Sequence, residues 1–276
     1  MSAWWLVGSV GVALAKRPPK VVEAPPAPAP AQVDLGYALV PVPPGPRQIG
    51  CTPGQGPCAA DAAARPVVVG ALLLVGRTEV PRSLWETVMG SVPPEAVPCG
   101  ADCPVTGVRW DEAIAFANAL SVREGLAPCY TVDAEGVRWE SGTACPGYRL
   151  LTEAEWESAA RGADDAPFSP GADPQVAGWV GEAAGGPLHP VGQRAPNVFG
   201  LHDLTGNAAE WVWDWYGPVE AAGVVDALGA PTGERRVVRG GHVASPPADA
   251  RVSTRDSAPP GEASPVRGLR LVRSIP

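Results

Sequence analysis

Lysine is almost missing from this chain. Of its 21 basic residues only Lys16 and Lys20 are lysines, and both lie near the N-terminus. Beyond them no ε-amine is available for Schiff-base chemistry, and every fixed positive charge is a guanidinium suited to bidentate pairing with carboxylates. Positive charge is also in deficit, at −8 net. That excludes a nucleic-acid partner, because phosphate backbones are held by clustered Lys and Arg. Long apolar runs are lacking too. The longest, "AWWLVGSVGVALA" (Ala3 to Ala15), is short of the roughly 20 residues a spanning helix needs, so no stable membrane span is expected. Histidine is scarce: His189, His202 and His242 have no metal-ligand spacing to one another or to the cysteines. No cysteine follows Cys145.

What is present in excess is Gly (33) and Pro (34), which limits long helices and wide sheets. With 45% hydrophobic residues the chain still has the apolar content of a folded core. The N-terminal run ends in Ala13-Leu14-Ala15, a small-x-small pattern, so residues 1–15 read as a signal peptide although no basic residue precedes the run. "KRPPKVVEAPPAPAPA" (Lys16 to Ala31) reads as an extended polyproline-type tether over residues 16–34. The globular part is expected at 35–276, in an exported protein of the periplasm or extracellular space.

The six cysteines fall in near pairs. Fifteen pairings are possible for six cysteines. The local scheme Cys51–Cys58, Cys99–Cys103, Cys129–Cys145 is favoured because each pair brackets a Gly- or Pro-containing loop, and an even count suits an oxidising compartment.

Local patterns give the elements. "YALVPVPPGPRQIGC" (Tyr37 to Cys51) reads as strand broken by prolines, and Arg65 to Gly90 as two β-rich runs and a helix opened by Pro81-Arg82-Ser83. Cys103 to Leu126 reads as a strand and then an amphipathic helix with Asp111 and Glu112 in its first turn. "GYRLLTEAEWESAARG" places Thr152 at an N-cap, Glu155 in a capping box, and Trp156, Ala159 and Ala160 on a buried stripe. "GLHDLTGNAAEWVWDWYG" (Gly200 to Gly217) sets Asp203, Glu210 and Asp214 among glycines and alternating Trp211, Trp213 and Trp215. From its residues alone this stretch fits an acid/base pair, a metal loop or a structural turn; in extended form the tryptophans share one face.

"PVTGVRWDEAIAFANAL", "GYRLLTEAEWESAARG", "NVFGLHDLTGNAAEWVWDWYG", "RVVRGG" and "RGLRLV" occur in one order, and that order resembles the formylglycine-generating-enzyme family, the sulfatase-modifying-factor domain. The resemblance runs from about Leu35 to Val272. It implies an α+β fold: a single irregular domain, the C-type-lectin-like variant, low in regular secondary structure. It also implies a structural Ca²⁺ on the "DLTGNAAEW" loop, with side-chain oxygens of Asp203 and Glu210 and carbonyls of Gly206 and Ala208. Such a mixed oxygen set suits calcium. A second calcium site of the family is expected to be lost, because Gly178 stands where the family pattern has Asn.

Formylglycine formation in this family uses copper held by two cysteines five residues apart after Arg-Gly-Gly. Here "RGGHVASPPADARVSTRDSA" puts Ser245 and Ala250 at those positions, and neither is a soft ligand for Cu(I). No copper is expected. His242, in the same segment, reads as a surface or pocket histidine, and Arg251, Arg255 and Asp256 as a solvated ion-pair face. The iron-dependent sulfoxide-synthesising branch carries an additional N-terminal helical domain where this chain has the tether. The resulting expectation is an exported non-catalytic member, a pseudoenzyme binding a protein, peptide or glycan. The alternative is a formylglycine-generating oxidase or another sulfatase-maturation enzyme.

Overall fold

The computed structural model describes residues 1, 34–93, 99–182, 186–218 and 223–275. The signal run and all of the tether except Asp34 fall outside them. Among the described residues no helix is long and apolar enough to cross a membrane.

The proline-broken opening becomes two short strands, β1 (Leu39–Val42) and β2 (Gly45–Ile49). β3 (Arg65–Val69) pairs antiparallel with β2, and β4 (Leu72–Gly76) pairs antiparallel with β1. α1 (Arg82–Met89) starts after Pro81 and stops at Gly90, whose φ of 80° is a left-handed C-terminal cap that glycine adopts without a Cβ penalty. The stretch expected as a strand before the next helix is not one. Cys103 to Val108 makes a single bridge, Pro81 to Pro104, closed by Arg82 N on Cys103 O and Val105 N on Val80 O. The ladder stops because α1 begins at Arg82 on one side and the chain turns at Gly107, φ 74°, on the other. α2 (Trp110–Arg123) follows, and Ile114, Ala117 and Leu120 are fully buried at the predicted helical spacing.

β5 (Thr131–Asp133) and β6 (Gly136–Arg138) form a small exposed hairpin, and β7 (Arg149–Leu150) leads into α3 (Glu153–Arg161). The capping box is present: Thr152 Oγ1 accepts from Glu155 N at 3.1 Å, and Glu155 accepts from Thr152 N at 2.9 Å. Such a cap contributes about 1 kcal/mol. Here the one-sided stripe gives way to a helix buried on every side. Its carboxylates can be buried because each meets arginine. Arg149 binds both oxygens of Glu155 at 2.6 and 2.7 Å, and Arg239 reaches Glu157 at 2.5 Å. The short α4 (Pro174–Ala177) precedes the loop that carries Gly178.

Two four-stranded sheets organise the rest. One has the order β1-β4-β12-β7, closed by β12 (Leu271–Ile275). The other runs β10-β9-β8-β11, from β8 (Ala209–Trp215), β9 (Arg236–Arg239), β10 (Asp256–Ala258) and β11 (Arg267–Leu269), with only β11–β8 parallel. Strands this short, joined by long turns, make the irregular α+β architecture expected. Trp211 is fully buried, and Trp213 packs with Trp110, Tyr130 and Trp139 in the same core cluster. Arg236 is sandwiched 3.7 Å from the Trp110 ring centre and 3.5 Å from that of Trp215. Burial drops its pKa to about 9, and the two indole faces stabilise the cation.

All three disulfides form in the local scheme, with Cα–Cα distances of 5.5 Å (Cys51–Cys58), 5.8 Å (Cys99–Cys103) and 5.7 Å (Cys129–Cys145).

Candidate functional site

β9 ends in Gly240-Gly241, whose φ values of 90° and 68° turn the chain sharply. A Cβ on Gly241 would lie 2.8 Å from that of Ala250, so the turn and the 247–250 segment can approach this closely only with glycine there. A pocket of about 440 Å³ opens beside the turn, with His242, Ser245, Asp249, Thr254 and Asp256 around a floor that includes Val238. Ser245 therefore lines a concave site, while Ala250 is fully buried beneath Gly241. The Ser245 hydroxyl accepts from the backbone N–H of His242 at 3.0 Å, and its own N–H donates to His242 O at 2.8 Å. His242 Nδ1 accepts from Ala244 N at 3.3 Å. Burial lowers the imidazole pKa below its ordinary 6.5, leaving a neutral ring at pH 7. The imidazole ring and the Ser245 hydroxyl thus do not form a hydrogen-bonded nucleophile–base pair. The pocket offers two hydroxyls, a neutral imidazole, two carboxylates and the edge of Arg255, a set suited to holding a polar group.

The expected solvated face at Arg251, Arg255 and Asp256 is corrected in one respect. The Arg255 side chain is only 4% exposed and turns inward, its Nε and Nη2 donating to the two Glu153 oxygens at 2.7 and 2.9 Å. An inward carboxylate on the all-buried α3 draws it in. Among the described residues no group of three or more His, Cys, Asp or Glu could hold a metal ion.

The second region is the loop entering β8. Asp203 and Asn207 both have φ of 58°, and Gly206 has 78°. This tight left-handed path packs the loop against Glu79, which accepts from Ala208 N and Asn207 Nδ2, each at 2.9 Å. Glu210 is buried, accepting from Arg270 Nη2 at 2.7 Å and Nε at 2.9 Å, and from Trp156 Nε1 at 2.6 Å. Asp203 Oδ2 accepts from Gly192 N at 2.6 Å, but its buried Oδ1 has no donor. Burial, reinforced by Asp203 and Glu210, pushes the Glu79 pKa well up. Burial likewise raises that of Asp203, against the opposing Gly192 N–H. Three carboxylates thus gather around one guanidinium. Burial favours the neutral forms of Glu79 and Asp203; Asp203 Oδ1 is the one oxygen of the three carboxylates without a donor, while Glu210 is already engaged. Asp214 is separate from this group. It is buried and accepts backbone N–H bonds from Glu153 at 2.6 Å and from Gly229, the geometry of a structural carboxylate.

The stretch expected to have lost a calcium site is closed to a side chain at Gly178. A Cβ there would sit 1.5 Å from Thr205 O. Next to it Trp179 is stacked between His189 and Arg194, each 3.6 Å from the indole, and His189 Nε2 contacts Glu182 at 2.8 Å. Sequence patterns revealed neither this stack nor the roles of Glu79, Glu153 and Arg270. The only local signal was an acidic residue, Glu79, set between apolar runs.

This combination, two irregular sheets around a buried arginine–carboxylate helix with a Gly-Gly turn opening a pocket, is the architecture of one domain class. Residues 26–275 match the sulfatase-modifying factor enzyme 1-like domain, and the chain belongs to that family. It is 31% identical to the chaperone protein LppX of Paenibacillus barcinonensis, over 72% of this chain and 79% of that one. It is also 31% identical to the formylglycine-generating enzyme of Thermomonospora curvata, over 59% of this chain but only 51% of the enzyme. Among solved structures, Treponema denticola variable protein 1 superposes with a TM-score of 0.78 at 30% identity, covering 88% of this chain and 98% of that one.

Proposed function

We propose that this is an exported, non-oxidase member of the family that binds a polypeptide at the Ser245 pocket. The observation that carries the reading is the state of the two positions that resemblance assigns to copper. Ser245 supplies a hydroxyl already engaged by His242 N–H, and Ala250 is a buried methyl. All six cysteines are spent in disulfides, so no thiolate is left to hold Cu(I). The name of LppX, a chaperone protein, supports a polypeptide ligand over a glycan. The three disulfides support an oxidising compartment. Calcium on the Asp203–Glu210 loop, with the carbonyls of Gly206 and Ala208, is part of the proposal, supported by the donorless Asp203 Oδ1.

The test incubates purified protein with a sulfatase-motif peptide, Cu(I) and reductant. The expected result is no mass loss from cysteine-to-aldehyde conversion, together with measurable peptide binding by fluorescence polarisation that Ser245→Trp abolishes. Copper-dependent turnover would establish the alternative, an oxidase with relocated ligands, which the formylglycine-generating relatives favour.

A further inference from the structure

The three disulfides differ in access. Cys103, Cys129 and Cys145 are buried at 1%, 6% and 3% exposure, and Cys99 is half-buried, whereas Cys58 is exposed. Its partner Cys51 is buried and lines a cleft of about 290 Å³ together with Pro57, Asp249, Arg251 and Arg255. The two guanidinium groups outnumber the one carboxylate of that lining. Arg255 is committed to Glu153, but Arg251 has no ion-pair partner among the described residues. Arg251 Nη1 donates to Pro57 O at 3.3 Å, one residue from Cys58, and its Nη2 lies 3.2 Å from where a Gly56 Cβ would stand. The bridge therefore joins an exposed residue, Cys58, to a buried one, Cys51, with the Arg251 guanidinium beside the loop between them.

We infer that Cys51–Cys58 is an exchangeable disulfide that accepts an incoming thiolate. The thiolate attacks Cys58 Sγ, the accessible atom. As the new S–S bond to Cys58 forms, the bond to Cys51 breaks and its electron pair leaves on Cys51 Sγ, which takes a proton from solvent. No outside oxidant is required, because the protein's own bridge is reduced as the mixed disulfide forms. Exchange speeds up with access to the attacked sulfur, and the Arg251 guanidinium, held beside Gly56 and Pro57, attracts an incoming thiolate to Cys58. Neither of the other two bridges has a cysteine as exposed as Cys58. This cleft shares Asp249, Thr254 and Arg255 with the Ser245 pocket, but the exchange does not depend on what that pocket binds.

The experiment treats the full, oxidised chain with limiting glutathione under native conditions, quenches with acid and maps adducts by mass spectrometry. The expected first product is glutathione on Cys58 with a free thiol on Cys51, while Cys99–Cys103 and Cys129–Cys145 stay closed. Arg251→Ala should slow the adduct severalfold, and Arg251→Lys should restore most of the rate. A cysteine-containing peptide run in parallel identifies the source: faster trapping than glutathione assigns the cleft to a polypeptide thiol, and slower trapping to a small thiol. The inference is overturned if another bridge opens first, if no adduct forms without denaturant, or if Arg251→Ala reacts at the wild-type rate.

Discussion

Removing Arg270 should be among the most damaging single changes in this domain. Its side chain is fully buried, and every nitrogen is used. Nε and Nη2 bind Glu210, Nη1 donates to Gly76 O, and Nη2 also donates to His202 O, both at 2.8 Å. Arg270→Met keeps much of the volume but removes the only guanidinium bound to Glu210, beside Glu79 and Asp203. Breaking a buried pair from one side costs about 3–5 kcal/mol, and each stranded carbonyl adds about 1–3 kcal/mol where water does not reach it. Against a total stability of order 5–15 kcal/mol, the variant should be close to unfolding. At about 2–4 °C per kcal/mol for a domain of this size, even the lower figure lowers Tm by roughly 6 °C or more. The assay is urea denaturation at neutral pH, with Glu210→Gln and the double variant completing the cycle. Because Glu210→Gln removes the charge that Arg270 neutralises, the double variant should lose less than the sum of the singles. A loss below about 1 kcal/mol for Arg270→Met, or strict additivity, would refute the account of this cluster.

Three further outcomes are expected. Calcium at Asp203 would raise Tm by mass action, so a chelator should lower the wild-type Tm and leave Asp203→Ala unresponsive; identical wild-type melts with and without chelator would remove calcium from the proposal. Gly178→Ala should destabilise by several kcal/mol in thermal melts, because its Cβ would overlap Thr205 O at 1.5 Å and that oxygen, being backbone, cannot swing aside. Asp214 gives a pH signature: burial, with Glu153 adding, raises its pKa from 3.8 to about 7. A raised carboxyl stabilises the fold in its protonated form, so that contribution is complete below about pH 3.8 and is lost as pH climbs to 7, roughly 4 kcal/mol in all. Wild type should therefore lose stability between pH 5 and pH 8 relative to Asp214→Asn, as read from denaturation midpoints; parallel profiles would contradict it.

How much of this was legible in the sequence depended on range. Thr152 with Glu155, and Gly90 after α1, are signals written within four residues, and the structure honours them. The disulfides were legible for the same reason, since each closes a short loop. Where sequence reading failed, the partner lay far away. Glu210 meets Arg270 60 residues on, Asn207 meets Glu79 128 residues back, and Arg255 meets Glu153 102 residues back. No periodicity reports such pairs. Arg255 read as solvated because charged residues near a turn usually are, and it turned inward because α3 presents a buried carboxylate to it.

In these buried pairs arginine does what lysine could not. A buried carboxylate needs donors in a fixed fork, and the guanidinium supplies them with less desolvation than an ammonium. Arg149 on Glu155, Arg239 and Arg161 on Glu157, Arg255 on Glu153 and Arg270 on Glu210 are all of this kind. Together they let α3 and β8, both rich in acidic residues, sit in the middle of the molecule with little regular structure around them. The pocket at Ser245 is built on that frame, since β9 carries Arg239 immediately before the Gly240-Gly241 turn and Thr254 O accepts from Arg239 at 2.7 Å on the far side of the loop. Arg239 thereby ties the loop's two ends, Gly240 and Thr254, to one side chain. The opening of the pocket is therefore fixed by Arg239, which is itself held by Glu157 and Glu153 of α3, so a change that unseats α3 should distort the pocket as well as the core.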